Sequence, residues 1–375
     1  MHTIIHDNKR SLVSMAFALL IFFSGYICIR VHHLMANTAV FASVQNAWLV
    51  AITGASVLLF LALKTRGVLL GYLIYLGGIY ATADIVLLLL RVIAQQSLLS
   101  KTLNGIYLSG ATPIVLAWWP SIYGRYNAKR IRVVQYTVSS PRFRRAGNPL
   151  RVVMLSDMHL GAGVQAEDVA NIVEQANAQA PDLILLCGDI FEEQTTKAQY
   201  EAALAAFKDF SALYGIYYVP GNHEYVAYRH NEAHLKTLKS DLAGAGVRML
   251  CDETVLVGDA FYLVGRDDKA HRTRREFADL VSDVRSDLPV IMMGHRPLEL
   301  QEAKRAGVDV QFSGHTHAGQ LFNFGKLGER LSKSEMLYGL RRSGAYHAIV
   351  SSGVGTWVFP MRLGSPSEIV VADIS

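Results

Sequence analysis

The chain has 375 residues, of which 51% are hydrophobic and 18% are charged, and its formal net charge is +5. This length excludes a small disulfide-stapled protein and allows two or more units. Residues 1–124 carry seven Lys or Arg and two Asp or Glu, which leaves 29 residues of each sign in residues 125–375. Because the basic excess lies in the apolar front third, it gives no support to a nucleic-acid-binding function.

Four apolar stretches occupy the front third and predict membrane spans. Each has or approaches the roughly 17–25 mostly apolar residues that a span needs. The stretches are Leu12–Ile29, Ala47–Leu63, Gly67–Ile93 and Gly105–Tyr123. A cleaved signal peptide is an alternative for the first stretch, since Lys9 and Arg10 precede its apolar core. We therefore expect a four-helix transmembrane region over residues 1–124.

The basic residues between these stretches predict an orientation. Eight of them fall on the side of the N-terminus and of residues 125–375, and at most three fall on the other side. By the positive-inside rule, residues 125–375 are expected in the cytoplasm, at the inner membrane of a multi-pass protein. Residues 125–149 are predicted to be a basic juxtamembrane linker.

Asp84 is the one acid inside an apolar stretch, and two interpretations are open. An intramembrane carboxylate often has a proton-linked or ligand-linked role, which would make the protein a transporter or sensor. The plainer interpretation is a position near an interface, or pairing with Arg91 or a tyrosine hydroxyl. We favour the plainer one, because no second acid in the stretches could form a proton relay.

After residue 150, short apolar runs alternate with amphipathic segments, which predicts a layered α/β domain over residues 150–375. The predicted helices are Ala166–Ala178 and Lys197–Tyr214. The predicted strands are Arg151–Ser156, Leu183–Cys187, Gly215–Val219, Phe261–Val264, Val290–Met293, Val308–Phe312, His347–Ser351 and Ile369–Ala372.

Polar side chains follow five of these strands. The five blocks are Asp157-Met158-His159, Gly188-Asp189, Gly221-Asn222-His223-Glu224, Gly294-His295 and Gly314-His315-Thr316-His317. The carboxyl ends of strands in an open α/β sheet converge on a ligand crevice, so we expect the blocks to meet. Carboxylates, imidazoles and an amide oxygen are ligands for Mn²⁺, Fe²⁺ or Zn²⁺. So many ligands exceed the needs of one ion that also holds substrate, and they indicate two ions sharing a carboxylate.

The five blocks, in this order, resemble the signature of the calcineurin-like metallophosphoesterases over residues 150–373. The ending, with Gly353 to Thr356 and Arg362 to Ile369, is similar to a bacterial subgroup whose catalytic domain follows membrane segments. The resemblance implies an α/β (α+β) fold, a two-sheet β-sandwich flanked by helices. It also implies a hydrolase that acts on phosphoric ester bonds.

The resemblance further implies a role for each matching residue. The implied metal ligands are Asp157, His159, Asp189, Asn222, His295, His315 and His317. The first ion would take Asp157, His159 and His317, Asp189 would bridge, and the remaining three residues would hold the second ion. His223 would not ligate metal; it would stabilise a phosphoryl oxygen and protonate the leaving alkoxide.

Two positions depart from the family pattern, and one acidic pair stands outside it. Many relatives follow the second block with another Asp, whereas this chain has Glu192 and Glu193. Either one of these glutamates contacts and orients the metal ligands, or neither has a role in the site. The last block continues with Ala318, where glycine is commoner. Asp267 and Asp268 follow a strand, and they either border the pocket or form a solvated turn.

The expected function is hydrolysis of phosphate esters by a dinuclear centre of Mn, Fe or Zn at the cytoplasmic membrane face. A diester is favoured over a monoester, and a phospholipid or lipid-linked ester would suit a site held near the bilayer. The expected partners are therefore this substrate and the membrane, with no nucleic-acid scaffold. The alternative is the transporter or sensor, in which the metal domain is regulatory.

Overall fold

The computed structural model describes residues 68–94, 102, 111–147, 149–227, 231–271, 273–321 and 325–375. The chain divides into two units, Met1–Arg125 and Tyr126–Ser375. The predicted spans Leu12–Ile29 and Ala47–Leu63 lie outside the described residues.

The prediction of a four-helix transmembrane region is wrong for the described part of the chain. Two long helices are described there, α1 at Val68–Ala94 and α2 at Ala111–Lys129. No helix among the described residues is both long enough and apolar enough for a membrane crossing. Helix α1 contains Asp84 and Arg91, and α2 continues past its apolar part through Pro120 to a basic last turn. Counting apolar residues along the sequence gave too little weight to these interruptions.

The second unit is a sandwich of two mixed six-stranded sheets. Its strands are β1 Ile131–Val138, β2 Leu150–Leu155, β3 Leu183–Cys187, β4 Ile216–Val219, β5 Val247–Met249, β6 Glu253–Val257, β7 Phe261–Arg266, β8 Val290–Gly294, β9 Val310–Ser313, β10 Gly339–Ser343, β11 Tyr346–Val350 and β12 Ser367–Ile374. One sheet has the order β1-β12-β2-β3-β4-β5, and the other has the order β10-β11-β9-β8-β7-β6. The predicted sandwich is confirmed, and the eight predicted strands are present with ends shifted by at most two residues.

Short helices complete the second unit. They are α3 Pro141–Ala146, α4 Ala166–Asn177, α5 Lys197–Phe207, α6 Asn222–Ala227, α7 Glu232–Gly244, α8 Phe277–Leu280, α9 Leu300–Arg305 and α10 Lys326–Ser332. Helix α4 has the amphipathic spacing of a surface helix and buries Val169, Ile172, Val173 and Ala176. Helix α5 begins with a capping box formed by Thr196 and Gln199, and it ends before the predicted limit at Tyr214.

The segment predicted to be a basic linker, residues 125–149, contains a strand of the sandwich. Strand β1 pairs in parallel with β12 along its whole length. Just beyond it, Arg142 forms an ion pair of 2.8 Å with the buried Asp309, which precedes β9 of the other sheet. Most β1 side chains are exposed or only partly buried, so the strand lacks the continuous apolar run by which the other strands were predicted.

Side chains on the two faces of β2 pack into two of the three hydrophobic clusters that the described residues of the domain form. Val152 and Met154 pack in the core between the sheets, whereas Val153 and Leu155 pack in the core that includes the helices. Strands β2, β3 and β4 run parallel to one another, as do β7, β8 and β9. Each sheet therefore brings several carboxyl ends to one edge, where the polar blocks follow.

Candidate metal centre

Both sheets contribute residues to the site. The first sheet contributes those that follow β2, β3 and β4, which are Asp157, His159, Asp189, Asn222 and His223. The second sheet contributes those that follow β8 and β9, which are His295, His315 and His317. Parallel strands ending at one edge thus bring together five blocks that are far apart in the sequence.

Five of the predicted ligands have a left-handed backbone. Their φ angles lie between 47° and 73°, and the residues are Asp157, His159, Asp189, His315 and His317. This conformation costs free energy for residues other than glycine, and it persists where the surrounding structure enforces it, most often at functional sites. The chain therefore bends sharply at the end of each of these strands, and the bends turn the side chains toward a common centre.

Asp157, His159 and His317 form a cluster that could hold a metal ion, and we call it the first group. Nε2 of His317 lies 3.1 Å from Nε2 of His159 and 3.6 Å from Oδ1 of Asp157. Behind the group, Nδ1 of His159 lies 3.0 Å from Oε2 of Glu192. A carboxylate in this position fixes the tautomer and the orientation of a ligating imidazole.

Asp189, His295 and His315 form another cluster, the second group. Nε2 of His295 lies 3.1 Å from Oδ2 of Asp189 and 3.1 Å from Nδ1 of His315. The same Asp189 oxygen lies 3.9 Å from Nε2 of His159 in the first group. One carboxylate oxygen thus faces an imidazole of each group, which is the position that a bridging ligand requires.

Asn222 stands at the edge of the second group, next to an arginine that the sequence analysis missed. Nη2 of Arg296 donates to Oδ1 of Asn222, and Nη1 lies near Nε2 of His315, both at 3.0 Å. Nε of Arg296 donates to Oδ2 of Asp268 at 2.9 Å. Both Asp267 and Asp268 are buried, so Asp268 borders the pocket, and the solvated turn is the wrong alternative.

His223 lies beside both groups. Its ring centroid is 4.9 Å from that of His159, and its backbone N–H donates to Oδ1 of Asp189 at 2.9 Å. Nδ1 of His223 lies 3.0 Å from Oε2 of Glu193. His223 also forms a third cluster that could hold an ion, together with His159 and Glu192. Its position is compatible with the predicted proton donor, and this third cluster makes metal ligation by His223 the alternative.

The glutamates that the sequence analysis left open both take part in the site. Glu192 contacts His159, and Glu193 contacts His223. Glu224, which the sequence places next to His223, instead accepts backbone N–H groups of the neighbouring loops and the hydroxyl of Tyr218. It therefore shapes the loops that carry the ligands, and Glu193 is the carboxylate that orients the His223 ring.

Burial and charge together set the protonation of the site. Burial opposes the charged form of His223, but the carboxylates of Asp189 and Glu193 outweigh it and raise the pKa of His223 to about 9. Burial also opposes ionisation of Asp189, yet His295 and His223 hold its pKa well below the usual value. The pKa of His315 is lowered well below its ordinary value, first by burial. The site thus keeps an anionic Asp189 beside a neutral His315.

This donor set fits divalent cations. Nδ1 of His295 lies 3.0 Å from the carbonyl oxygen of Cys187, which directs Nε2 at Asp189 and His315. Backing of a ligating imidazole by a carbonyl or carboxylate is typical of metal sites. Among the described residues, the buried Oε1 of Glu192 has no hydrogen-bond partner. Carboxylate, imidazole and amide donors suit Mn²⁺, Fe²⁺ or Zn²⁺.

A sandwich whose strand ends gather these ligands defines the class of metal-dependent phosphoesterases. The model of the family described as calcineurin-like phosphoesterase matches residues 150–319. A metallophosphoesterase of Aquifex aeolicus is 30% identical over 258 residues, which cover 67% of this chain and 95% of that protein. The chain belongs to the calcineurin-like metallophosphoesterase family, which confirms the resemblance found in the sequence.

Other relatives match a smaller part of their own length. A metallophosphoesterase of Helicobacter pylori is 35% identical over 226 residues, covering 59% of this chain and 58% of that protein. A Bos taurus protein named transmembrane protein with metallophosphoesterase domain is 30% identical over 274 residues, covering 66% of this chain and 58% of that protein. The chain thus spans somewhat more than half of these two relatives. Their names support the predicted class, a hydrolase of phosphoric esters.

Proposed function

We propose that the protein hydrolyses phosphate esters with two divalent ions, one in each group, and that it prefers diesters to monoesters. The observation that carries this proposal is the position of Asp189 Oδ2, which faces His295 in the second group and His159 in the first. Two divalent ions, when bound in such a site, activate water and neutralise charge on the phosphoryl group.

The chain's own residues supply proton transfer and orientation. His223, with Glu193 at Nδ1, is placed to hold a proton for the leaving oxygen. Arg296, held by Asp268, keeps a 26% exposed side chain at the edge of the second group. A guanidinium there can donate hydrogen bonds to a phosphoryl oxygen and orient the ester.

The proton donor of the site suits the leaving oxygen of a diester. When a diester is hydrolysed, one organic group leaves as an alkoxide or phenoxide and the other stays on phosphorus, and a positioned acid can protonate the leaving oxygen. The His223–Glu193 pair provides such an acid beside the bridging position of Asp189. A monoester has the same kind of leaving oxygen but no second organic group, so the measured ratio of the two esters decides the preference.

A substrate panel on the purified full chain tests this function. After loading with Mn²⁺, kcat/KM is measured for bis(p-nitrophenyl) phosphate and for p-nitrophenyl phosphate, before and after chelation. We expect metal-dependent turnover of both esters and a higher value for the diester, with Asp189→Asn as the control for contaminating phosphatases. An equal or higher value for the monoester would contradict the diester preference. Absence of metal-dependent turnover of either ester would contradict the function itself.

We also propose that residues 125–375 act at the cytoplasmic face of the inner membrane, on a phospholipid or lipid-linked ester. The similarity to a Bos taurus protein named transmembrane protein with metallophosphoesterase domain supports a location at a membrane. An alkaline-phosphatase fusion after residue 375 is expected to be inactive in a bacterial host, while a fluorescent cytosolic reporter is bright in the membrane fraction. The opposite reporter pattern, or a chain that fractionates away from membranes, would contradict the location.

A further inference from the structure

Residues 356–366, which we call the strap, hold an aromatic side chain beside the proposed proton donor. The ring centroid of Trp357 lies 6.1 Å from that of His223, and the two rings meet edge to face at 64°. Trp357 is 39% exposed, and the next residue, Val358, is 46% exposed. An apolar surface thus lies open to solvent next to the ring that would protonate the leaving group.

Gln320 holds the backbone of the strap in place. Its Nε2 donates to the carbonyls of Trp357, Phe359 and Met361 at 3.1, 2.7 and 3.2 Å. Its Oε1 accepts the backbone N–H of Trp357 at 2.9 Å. A single buried amide therefore binds Trp357 through both its N–H and its C=O, and the indole is carried on a fixed backbone.

Arg362 connects the strap to the metal centre. It is fully buried, and its guanidinium donates to the carbonyls of Ser352 at 2.6 Å and Gly355 at 3.0 Å. It also donates to Oγ of Ser365 at 2.8 Å, and Nη2 lies 3.3 Å from Nδ1 of His317. The strap is therefore bonded to the first group itself, so the distance between Trp357 and the ligands is set by the fold.

The backbone conformation of Val358 also indicates that the strap belongs to a functional site. Its φ is 60°, in the left-handed region that a β-branched residue rarely adopts. Because about half of Val358 is exposed, burial compensates only part of this cost. Strain that is enforced by surrounding hydrogen bonds is concentrated at ligand-binding and catalytic sites. The strap thus keeps two apolar side chains in contact with water at a free-energy cost.

We propose that Trp357 is a specificity-determining residue that binds the leaving group of the ester, and that this leaving group is an apolar organic group. The proposal rests on the proposed function, because the oxygen that His223 protonates must lie close to its ring. Whatever is attached to that oxygen then lies within reach of the adjacent indole. Aromatic side chains offer the largest apolar contact area, and binding of a remote part of a substrate can orient the reacting centre.

Alkylphosphonates are suitable probes, because their alkyl chain is attached to phosphorus through a carbon–phosphorus bond. This bond is not a phosphate ester, so the probe is not hydrolysed during the measurement. The Kd of methyl-, butyl- and hexylphosphonate is measured by calorimetry on the Mn²⁺-loaded full chain. The proteins compared are the wild type, Trp357→Ala, Trp357→Phe and Trp119→Ala. Trp119 is the matched control, since it is a 72% exposed tryptophan of the other unit.

The chain-length dependence of Kd is the decisive quantity. Each methylene packed on the indole is expected to lower Kd about two- to fourfold in the wild type and in Trp119→Ala. Hexylphosphonate should then bind the wild type about 30-fold or more tightly than methylphosphonate. The dependence should vanish in Trp357→Ala and be shallower in Trp357→Phe, while the Kd of methylphosphonate stays unchanged.

The outcomes separate this proposal from the function on which it rests. If methylphosphonate binds but the wild type shows no chain-length dependence, or if Trp357→Ala keeps it, the apolar subsite is wrong and the phosphoesterase stands. If methylphosphonate does not bind the wild type and no ester is hydrolysed, both are wrong. If Trp357→Ala no longer binds methylphosphonate, Trp357→Phe is the variant to compare. A chain-length dependence of Kd in Trp357→Phe that is as steep as in the wild type contradicts the proposal, and a shallower dependence supports it.

Discussion

The two groups of predicted ligands use the same chemistry but differ in their enclosure. In the first group, Asp157 and His159 are fully buried and His159 is backed by a carboxylate. In the second group, His315 is only partly buried and is contacted by the guanidinium of Arg296, whose side chain is 26% exposed. We therefore expect the first group to retain its ion more firmly, and the second to be the side from which a phosphoryl oxygen enters.

The largest expected effect comes from the residue that the two groups share. Asp189→Asn should lose both ions, because the substitution removes the charge that faces an imidazole of each group. The loss of activity should exceed that of any single proton-transfer variant. Asn222→Ala is the matched control and should weaken only the second ion. Elemental analysis measures both, and full two-ion loading of Asp189→Asn would remove the bridging role.

The next effect separates proton donation from ligation at His223. His223→Ala should keep both ions and lose about 10²–10⁴-fold of the activity on alkyl esters, because their leaving oxygen needs a proton. Nitrophenyl esters should lose less. The wild-type rate on alkyl esters should fall on the alkaline side as His223 loses its proton, and this limb should be absent in the variant. Loss of metal, or equal losses on both ester types, would make His223 a ligand.

Neighbouring glutamates allow the enclosed first group to be tested by itself. Glu192→Gln should weaken the first ion about 10–100-fold, because it removes the charge that orients His159. Glu193→Gln should leave metal affinity unchanged and should instead reduce proton donation, since Glu193 contacts His223. Metal titrations of the two variants measure the difference. Equal metal affinities in both would show that the first group does not depend on its backing carboxylate.

The smallest expected effect is at the edge of the second group. Here the substitution is expected to tighten metal binding, whereas the substitutions of metal-site carboxylates above weaken it. Arg296→Met should tighten the second ion about tenfold, because it removes a cation that contacts Asn222 and His315. The same variant should raise the KM of a phosphate ester. Competitive metal titration gives the first quantity and steady-state kinetics the second. Weaker metal binding would mean that Arg296 supports the second group instead of competing with its ion.

Two kinds of feature could be predicted from the sequence: strands with long apolar runs, and a metal site, because only a few residue types bind metal ions. Eight of the twelve described strands were predicted from their apolar runs. Strands β1, β6 and β10 were missed because most of their side chains are exposed or half-buried, and β5 because it has three residues. The blocks at the strand ends could be predicted because few residue types bind divalent ions. The four-helix transmembrane region was wrong for the described residues, because apolar residues were counted without the charged and polar residues that interrupt α1 and α2.

The parts of the site that were missed act only through three-dimensional contacts. Arg296 directly follows His295, yet nothing in the sequence shows that it contacts Asn222 and Asp268. Gln320 follows the last block, and its role depends on carbonyls some forty residues away in the sequence. Such partners depend on the register and the loop geometry, which local patterns do not encode.

Anomalous scattering from crystals of the Mn²⁺-loaded chain tests the central claim most directly. The account predicts two peaks about 3.5–4 Å apart with Asp189 between them. One peak should be bounded by Asp157, His159 and His317, and the other by Asn222, His295 and His315, with His223 bound to neither. A single peak, or a peak coordinated by His223 and Glu192, would contradict the two-group centre.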